Sequence, residues 1–301
     1  MELTEFKSVQ RMLGELKLLT RSKNTELTYL KALKSLLKQV NLSNPDILIE
    51  KVKNRELNAD EIYKQYIVNL ASQNLAPKSI AAWAAGVRKF FSANGIDVKV
   101  VPMRVYTLHE DILPTKEELR TVLANSTLKA RTCILILLSS GLRVGELHQL
   151  KLADIDLEED PPKIRVKAIS AKERKGRITF ISFQARDVLK EYLERRKLKE
   201  KLTPDSPLIA TDDGRPMSYQ NLQYILNNVL KRVGKKMGKR YTLHPHILRK
   251  WFKTQMISAG LPPPIVDKLM GHARYLAKEY ELYTEDQLRE WYLRGMGALT
   301  L

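Results

Sequence analysis

The chain has 301 residues, enough for two domains that each bury a core, and it carries 52 Lys+Arg against 34 Asp+Glu, a formal net charge of +18. An excess of that size suits a polyanion, because every neutralised phosphate releases condensed counterions, so nucleic acid is the expected partner. The single cysteine, Cys133, excludes an intramolecular disulfide and a thiolate zinc site, and neither a bilayer-length apolar run nor a signal-peptide layout is present, so a cytoplasmic or nucleoid location without a membrane role is expected.

Positions 1–106 hold 17 basic and 10 acidic residues, and the remainder 35 and 24, so both halves are able to touch DNA. Residues 1–96 read as a helical domain of four or five helices. Asn24 is expected to cap a helix whose apolar stripe runs from Leu27 through Leu30, Leu33, Leu36 and Leu37 to Val40. Asn44-Pro45 marks another start, Asn58 with Glu61 a third, and a last helix runs from about Pro77 to Asn94-Gly95. Periodicity then breaks, and 97–114 reads as a linker.

Thr115-Lys116-Glu117-Glu118 is a capping-box pattern that opens a second domain, 115–301, and the apolar run around Ile134 reads as its buried central helix. From Lys163 to Ala168, and again from Ile178 to Ser182, residues alternate as in short strands, with Ser170 to Gly176 as a hairpin tip. Helices are expected again at about Phe183 to Lys199, Ser218 to Val233, His246 to Ala259 and Pro263 to Met270. The fold class is therefore mainly α with a small antiparallel β-sheet, in two domains.

Three segments carry the chemistry. A phosphodiester under attack gathers negative charge on its non-bridging oxygens, which two arginine forks can hold. Arg143, in Gly141-Leu142-Arg143-Val144-Gly145-Glu146-Leu147, follows a glycine turn where a new helix begins, a position expected to place it beside exposed backbone N–H groups; the alternative is an ordinary surface pair with Glu146. His246 and Arg249, three apart on one helix, share a face, and the histidine can donate to a phosphate oxygen or move a proton near neutral pH. His272 follows Gly271, while His244 is read as structural.

Taken in order, Gly141 to Leu147, the hairpin Ala171-Lys172-Glu173-Arg174-Lys175-Gly176-Arg177, Leu243 to Lys250, Leu269-Met270-Gly271-His272 and a following tyrosine resemble the tyrosine recombinase/integrase family, in its compact Xer-type or archaeal and viral forms. The resemblance implies a two-domain DNA clamp, with 1–96 as a core-binding, SAM-like domain and 115–301 as a mixed α+β catalytic domain ending in a tail, 284–301. It implies Arg143 and Arg249 as paired phosphate-binding arginines, His246 and His272 as their partners, and Lys172 as the acid for the leaving 5′ oxygen, with Lys175 as the rival. Tyr280 is the implied nucleophile and Tyr283 the alternative; neither fits the family's usual spacing from His272 without a small gap.

The implied reaction is site-specific recombination through a 3′-phosphotyrosyl intermediate, without metal or nucleotide cofactor, by a tetramer holding two duplexes. The apolar tail face of Leu288, Trp291 and Tyr292 either packs on a neighbouring protomer or closes its own core. A type IB topoisomerase that reseals the same strand, or a non-catalytic DNA-binding regulator on the same clamp, are the competing readings.

Overall fold

A computed structural model of the chain describes residues 2–20, 22–106, 110–168, 176–238, 240–272 and 283–301. They form two units, Met1–Glu110 and Asp111–Leu301.

The first unit is built from α1 (Lys7–Leu19), α2 (Lys23–Gln39), α3 (Pro45–Lys53), α4 (Ala59–Ser72) and α5 (Pro77–Ser92). Asn44 caps α3 by accepting the Asp46 N–H at 2.8 Å, and Asn58 caps α4 by accepting from Asp60 and Glu61, as their positions predict. The α2 cap differs from expectation. Ser22 takes that role, accepting from Thr25, and Asn24 falls inside the first turn, so the hydroxyl two residues upstream wins. Helix α1 was not foreseen, although Val9, Met12 and Leu16 repeat at helical spacing and are buried. Helices α2 and α5 meet at Gly86, where an added Cβ would lie 2.9 Å from the Tyr29 ring, so the two backbones approach through a missing side chain.

The unit boundary falls at Glu110/Asp111, inside the segment read as a linker. That segment is not free along its length. Val98, Val101 and Met103 pack on the core of the first unit, and Leu113 packs on that of the second, because isolated apolar residues gain by covering the nearest exposed core.

The second unit opens with α6 (Lys116–Ala124), α7 (Leu128–Ser140) and α8 (Val144–Leu147). Thr115 and Glu118 form the reciprocal capping box that the sequence announces. Helix α7 is apolar on every side, and the unit's other elements wrap it. Strands β1 (Ile155–Asp156), β2 (Lys163–Val166) and β3 (Arg177–Phe180) make an antiparallel sheet in that order, with Ile164 opposite Thr179 and Val166 opposite Arg177. Lys163 departs from the expected alternation: it is buried, because Glu159 and Glu285 both close on its ammonium. The expected hairpin tip, with Lys172 and Lys175, lies outside the described residues.

After α9 (Phe183–Lys197) and α10 (Tyr219–Val233) comes a two-stranded hairpin that was not foreseen, β4 (Lys236–Met237) and β5 (Arg240–Tyr241). Then follow α11 (Pro245–Ser258), α12 (Pro263–Met270) and α13 (Glu285–Met296). The face of α13 that had two possible destinations is spent on its own unit: Leu288 and Tyr292 are buried there, and the Tyr292 hydroxyl donates to the Ser139 carbonyl at 2.8 Å. Among the described residues, no helix is long and apolar enough to cross a membrane.

Candidate active site

Two left-handed glycine turns define the site. Helix α7 ends at Gly141 (φ +63°) and α12 at Gly271 (φ +71°). Both positions also exclude a side chain by contact: a Cβ on Gly141 would stand 2.5 Å from the Phe252 ring, and one on Gly271 2.8 Å from Arg177 Cδ. Arg249, on α11 and 2% exposed, joins the turns, its Nη1 donating to the Gly141 carbonyl and its Nη2 to the Met270 carbonyl at 2.8 Å. The guanidinium plane is thereby fixed relative to both sequence motifs.

An arginine–carboxylate assembly braces the segment that follows the Gly141 turn. Glu146, 1% exposed, accepts the Arg143 backbone N–H at 2.8 Å and Arg143 Nη1 at 3.1 Å. Its two oxygens also take a bidentate fork from Arg177, at 3.0 and 2.8 Å. Burial on its own would raise the Glu146 pKa, but the hydrogen bonds and charge of Arg177, then those of Arg143, outweigh it and hold the carboxyl below its ordinary value. Arg177 Nε donates to the Leu269 carbonyl at 2.9 Å, so Glu146 and Arg177 tie the Arg143 segment to the turn before His272.

This arrangement corrects the sequence reading of Arg143 in one respect. The backbone donors expected beside it are taken internally, the Leu142 N–H by Ser140 Oγ at 3.2 Å and the Arg143 N–H by Glu146. The pair with Glu146 does form, yet its carboxylate is a buried anchor rather than a surface partner. The Arg143 side chain keeps 23% of its surface exposed, with the rest of its fork making no hydrogen bond to described residues.

His246 stands at the second position of α11, exposed, with its ring stacked on His244 at a centroid distance of 6.5 Å. Desolvation and then the cations Lys250 and Arg249 depress its pKa, so the ring is neutral at neutral pH. His244 is held by Asp111, which also takes Lys250, in keeping with a structural role. His272 Nδ1 lies 3.2 Å from a carboxylate oxygen of Asp267, which also receives Lys253 Nζ at 2.6 Å. Burial first and Arg249 second lower the His272 pKa, while Asp267 opposes them.

Arg143, Arg249, His246 and His272 are therefore brought to one region around the two glycine turns. Tyr280, Lys172 and Lys175 lie outside the described residues; Tyr283 is described, half-buried beside the core. Sequence reasoning missed three side chains. Glu146 was visible at three residues from Arg143 but was read only as a competitor for it. Asp267 carried a signal, as the one carboxylate in the apolar run Pro263 to Met270. Arg177 carried none, being one more basic residue at the foot of a basic hairpin.

The phage integrase family model matches residues 112–287, more than half of the chain, and the chain belongs to that family. It is a site-specific recombinase of the tyrosine class. It is 31% identical over 260 residues to the tyrosine recombinase XerC of Staphylococcus saprophyticus, covering 80% of this chain and 83% of that one. It is 29% identical over 224 residues to XerA of Saccharolobus solfataricus, covering 73% and 68%. Among solved structures, the Tn1549 transposon integrase in complex with transposon right end DNA shares the fold, with a TM-score of 0.65 at 20% identity over 95% of this chain and 98% of that one.

Proposed function

We propose that this recombinase cuts and rejoins double-stranded DNA at a specific site through a 3′-phosphotyrosyl intermediate, with Tyr280 as the nucleophile. The phenol loses its proton to solvent as its oxygen attacks a backbone phosphorus, the phosphorus–oxygen bond to the 5′ carbon's oxygen breaks, and Lys172 supplies the proton to that leaving oxygen. Arg143 and Arg249 hold the non-bridging oxygens, and His246 and His272 hydrogen-bond to the same phosphate. Attack by a second strand's 5′ hydroxyl on the phosphotyrosyl bond then restores the tyrosine and exchanges partners. A tetramer on two duplexes supplies the four nucleophiles, the helical domain 1–96 also binds the DNA, and the protein works at the nucleoid.

The observation that supports this reading most is the position of Arg249, a buried cation joining the Gly141 and Gly271 turns from which Arg143 and His272 emerge. A buried arginine is costly unless its surroundings are built for it. The test is to select duplexes bound by the full chain, nick them beside the bound step so that the 5′ end diffuses away, and seek a protease-sensitive conjugate. Peptide mass spectrometry is expected to find the DNA on Tyr280, and Tyr280→Phe to abolish the conjugate. Attachment at Tyr283 would move the nucleophile, and a chain that never forms the conjugate would overturn the mechanism.

A further inference from the structure

Between Gly214 and Val266 lie 53 residues without a single Asp or Glu, while the same stretch holds ten Lys and Arg. Only part of that charge belongs to the site already described. Five of the ten gather at the C-terminal end of α10 and on the β4–β5 hairpin: Lys231, Arg232, Lys235, Lys236 and Arg240, all exposed. Many other surface cations of this unit are paired, as Lys129 is with Asp212, Lys151 with Asp205 and Arg195 with Glu191. None of these five has a carboxylate within salt-bridge distance among the described residues, and the acid-free sequence around them explains why.

A two-stranded hairpin of this size has no stability of its own, so its geometry comes from its base. Gly234 lies flat on Leu243, where a Cβ would meet the Leu243 backbone nitrogen at 2.9 Å. Lys235 and Thr242 then close the base, the Thr242 N–H donating to the Lys235 carbonyl at 2.9 Å and the Lys235 N–H to Thr242 Oγ1 at 3.0 Å. Leu243 is buried in the core of the unit, and Lys231 sits 5.5 Å over the Tyr241 ring, which ties the hairpin to α10. At the far end Gly238, at φ +60°, opens the turn. The cations are thus presented from a fixed base.

The geometry points to a second phosphate-contact element: we infer that the β4–β5 hairpin, with the end of α10, grips the DNA backbone beside the cleavage site without reading its sequence. The inference rests on the recombinase reading for the placement of the duplex. Arg240 precedes His246 by only six residues, so the two are at most ~20 Å apart, on the order of six base steps along one strand. Lysine and arginine are leading donors to phosphate oxygens, and contacts of that kind position a protein on a duplex without reading its sequence. A competing explanation is that lysines merely keep an exposed strand edge from pairing with another copy, and the experiment separates the two.

The full chain and a Lys235→Gln/Lys236→Gln/Arg240→Gln variant are titrated with a labelled random-sequence duplex between ~50 and 200 mM salt. The variant is expected to weaken binding about tenfold or more at the low end and to flatten the plot of log affinity against log salt by about two to three. Lys235→Arg/Lys236→Arg, which keeps the charge, is expected to retain the parent slope. An unchanged thermal midpoint for both variants is the folding control expected of exposed positions. An unchanged slope with increased self-association would overturn the inference in favour of edge protection, and a loss confined to one DNA sequence would overturn it in favour of base reading. Since the probe reports binding and not cleavage, a chain that binds through the hairpin yet forms no phosphotyrosyl conjugate sinks the mechanism alone. One that forms the conjugate and keeps its salt slope sinks only the hairpin.

Discussion

The two units bury different things. Among the described residues, the polar side chains sealed inside the helical unit are Ser8 and Asn94, with the Tyr66 hydroxyl donating to the Ala32 carbonyl, and no charged side chain is buried there. The second unit buries Glu146, Asp154, Lys163, Arg196, Arg249 and Asp267. Removing a charge from water costs several kcal/mol unless partners meet it, so a fold that does this repeatedly has been shaped by something other than its own stability. In one unit hydrophobic burial is sufficient; in the other the interior doubles as the scaffold for a site, and three of its six buried charges, Glu146, Arg249 and Asp267, brace the turns that carry the candidate side chains.

The comparison can be broken most forcefully at Glu146. Glu146→Ala strips the carboxylate from both Arg143 and Arg177 and is expected to lower the stability of the second unit by about 3–5 kcal/mol, read by chemical denaturation with the helical unit as internal reference. Gly271→Ala drives a methyl into Arg177 and is expected to cost about 1–3 kcal/mol and to suppress conjugate formation by more than its stability loss explains. Asn94→Ala is the matching test in the first unit. Its amide donates to the Ser8 and Phe90 carbonyls at 3.0 and 2.8 Å, and its loss is expected to cost about 1–3 kcal/mol. If that substitution proves as damaging as the one at Glu146, the contrast between the units fails.

Acid sharpens the same contrast more gently. The Glu146 carboxyl titrates lower in the folded state than in the unfolded one, so its contribution is complete above the unfolded value of ~4.3 and is lost as pH falls through the folded one. His246 works in the neighbouring window. Its folded pKa is depressed, so below ~6.5 the unfolded chain takes up a proton that the folded ring refuses, and stability falls with pH there. Asp267 raises the His272 pKa, so Asp267→Asn is expected to move the His272 imidazole titration further down, as followed by its ring proton shifts. Smallest of all, Lys190→Ala on the exposed Lys190–Glu158 pair is expected to change stability by less than about 1 kcal/mol.

Much of this was legible because it is local. A cap is decided by a hydroxyl or amide within three residues of the N–H groups it serves, so Asn44, Asn58 and Thr115 could be read directly. Gly141 and Gly271 ended their helices where the sequence suggested. What could not be read is contact between distant segments. Arg177 meets Glu146 across 31 positions and Leu269 across 92, and nothing in the hairpin sequence separates that arginine from its neighbours. Lys163, which simple alternation would turn outward, is held inside by Glu285, 122 residues away. The β4–β5 hairpin was missed for another reason: strands this short carry no period to detect.

The hydroxyl of Tyr292 reaches the carbonyl of Ser139, two positions ahead of the glycine on which the whole centre turns. A ribosome makes that centre's first strands of sequence early and their brace 153 residues later. Through that interval the nascent chain holds the Gly141 turn without its Tyr292 pin. A messenger truncated before Tyr292 yields a chain lacking the pin that seats the Gly141 turn.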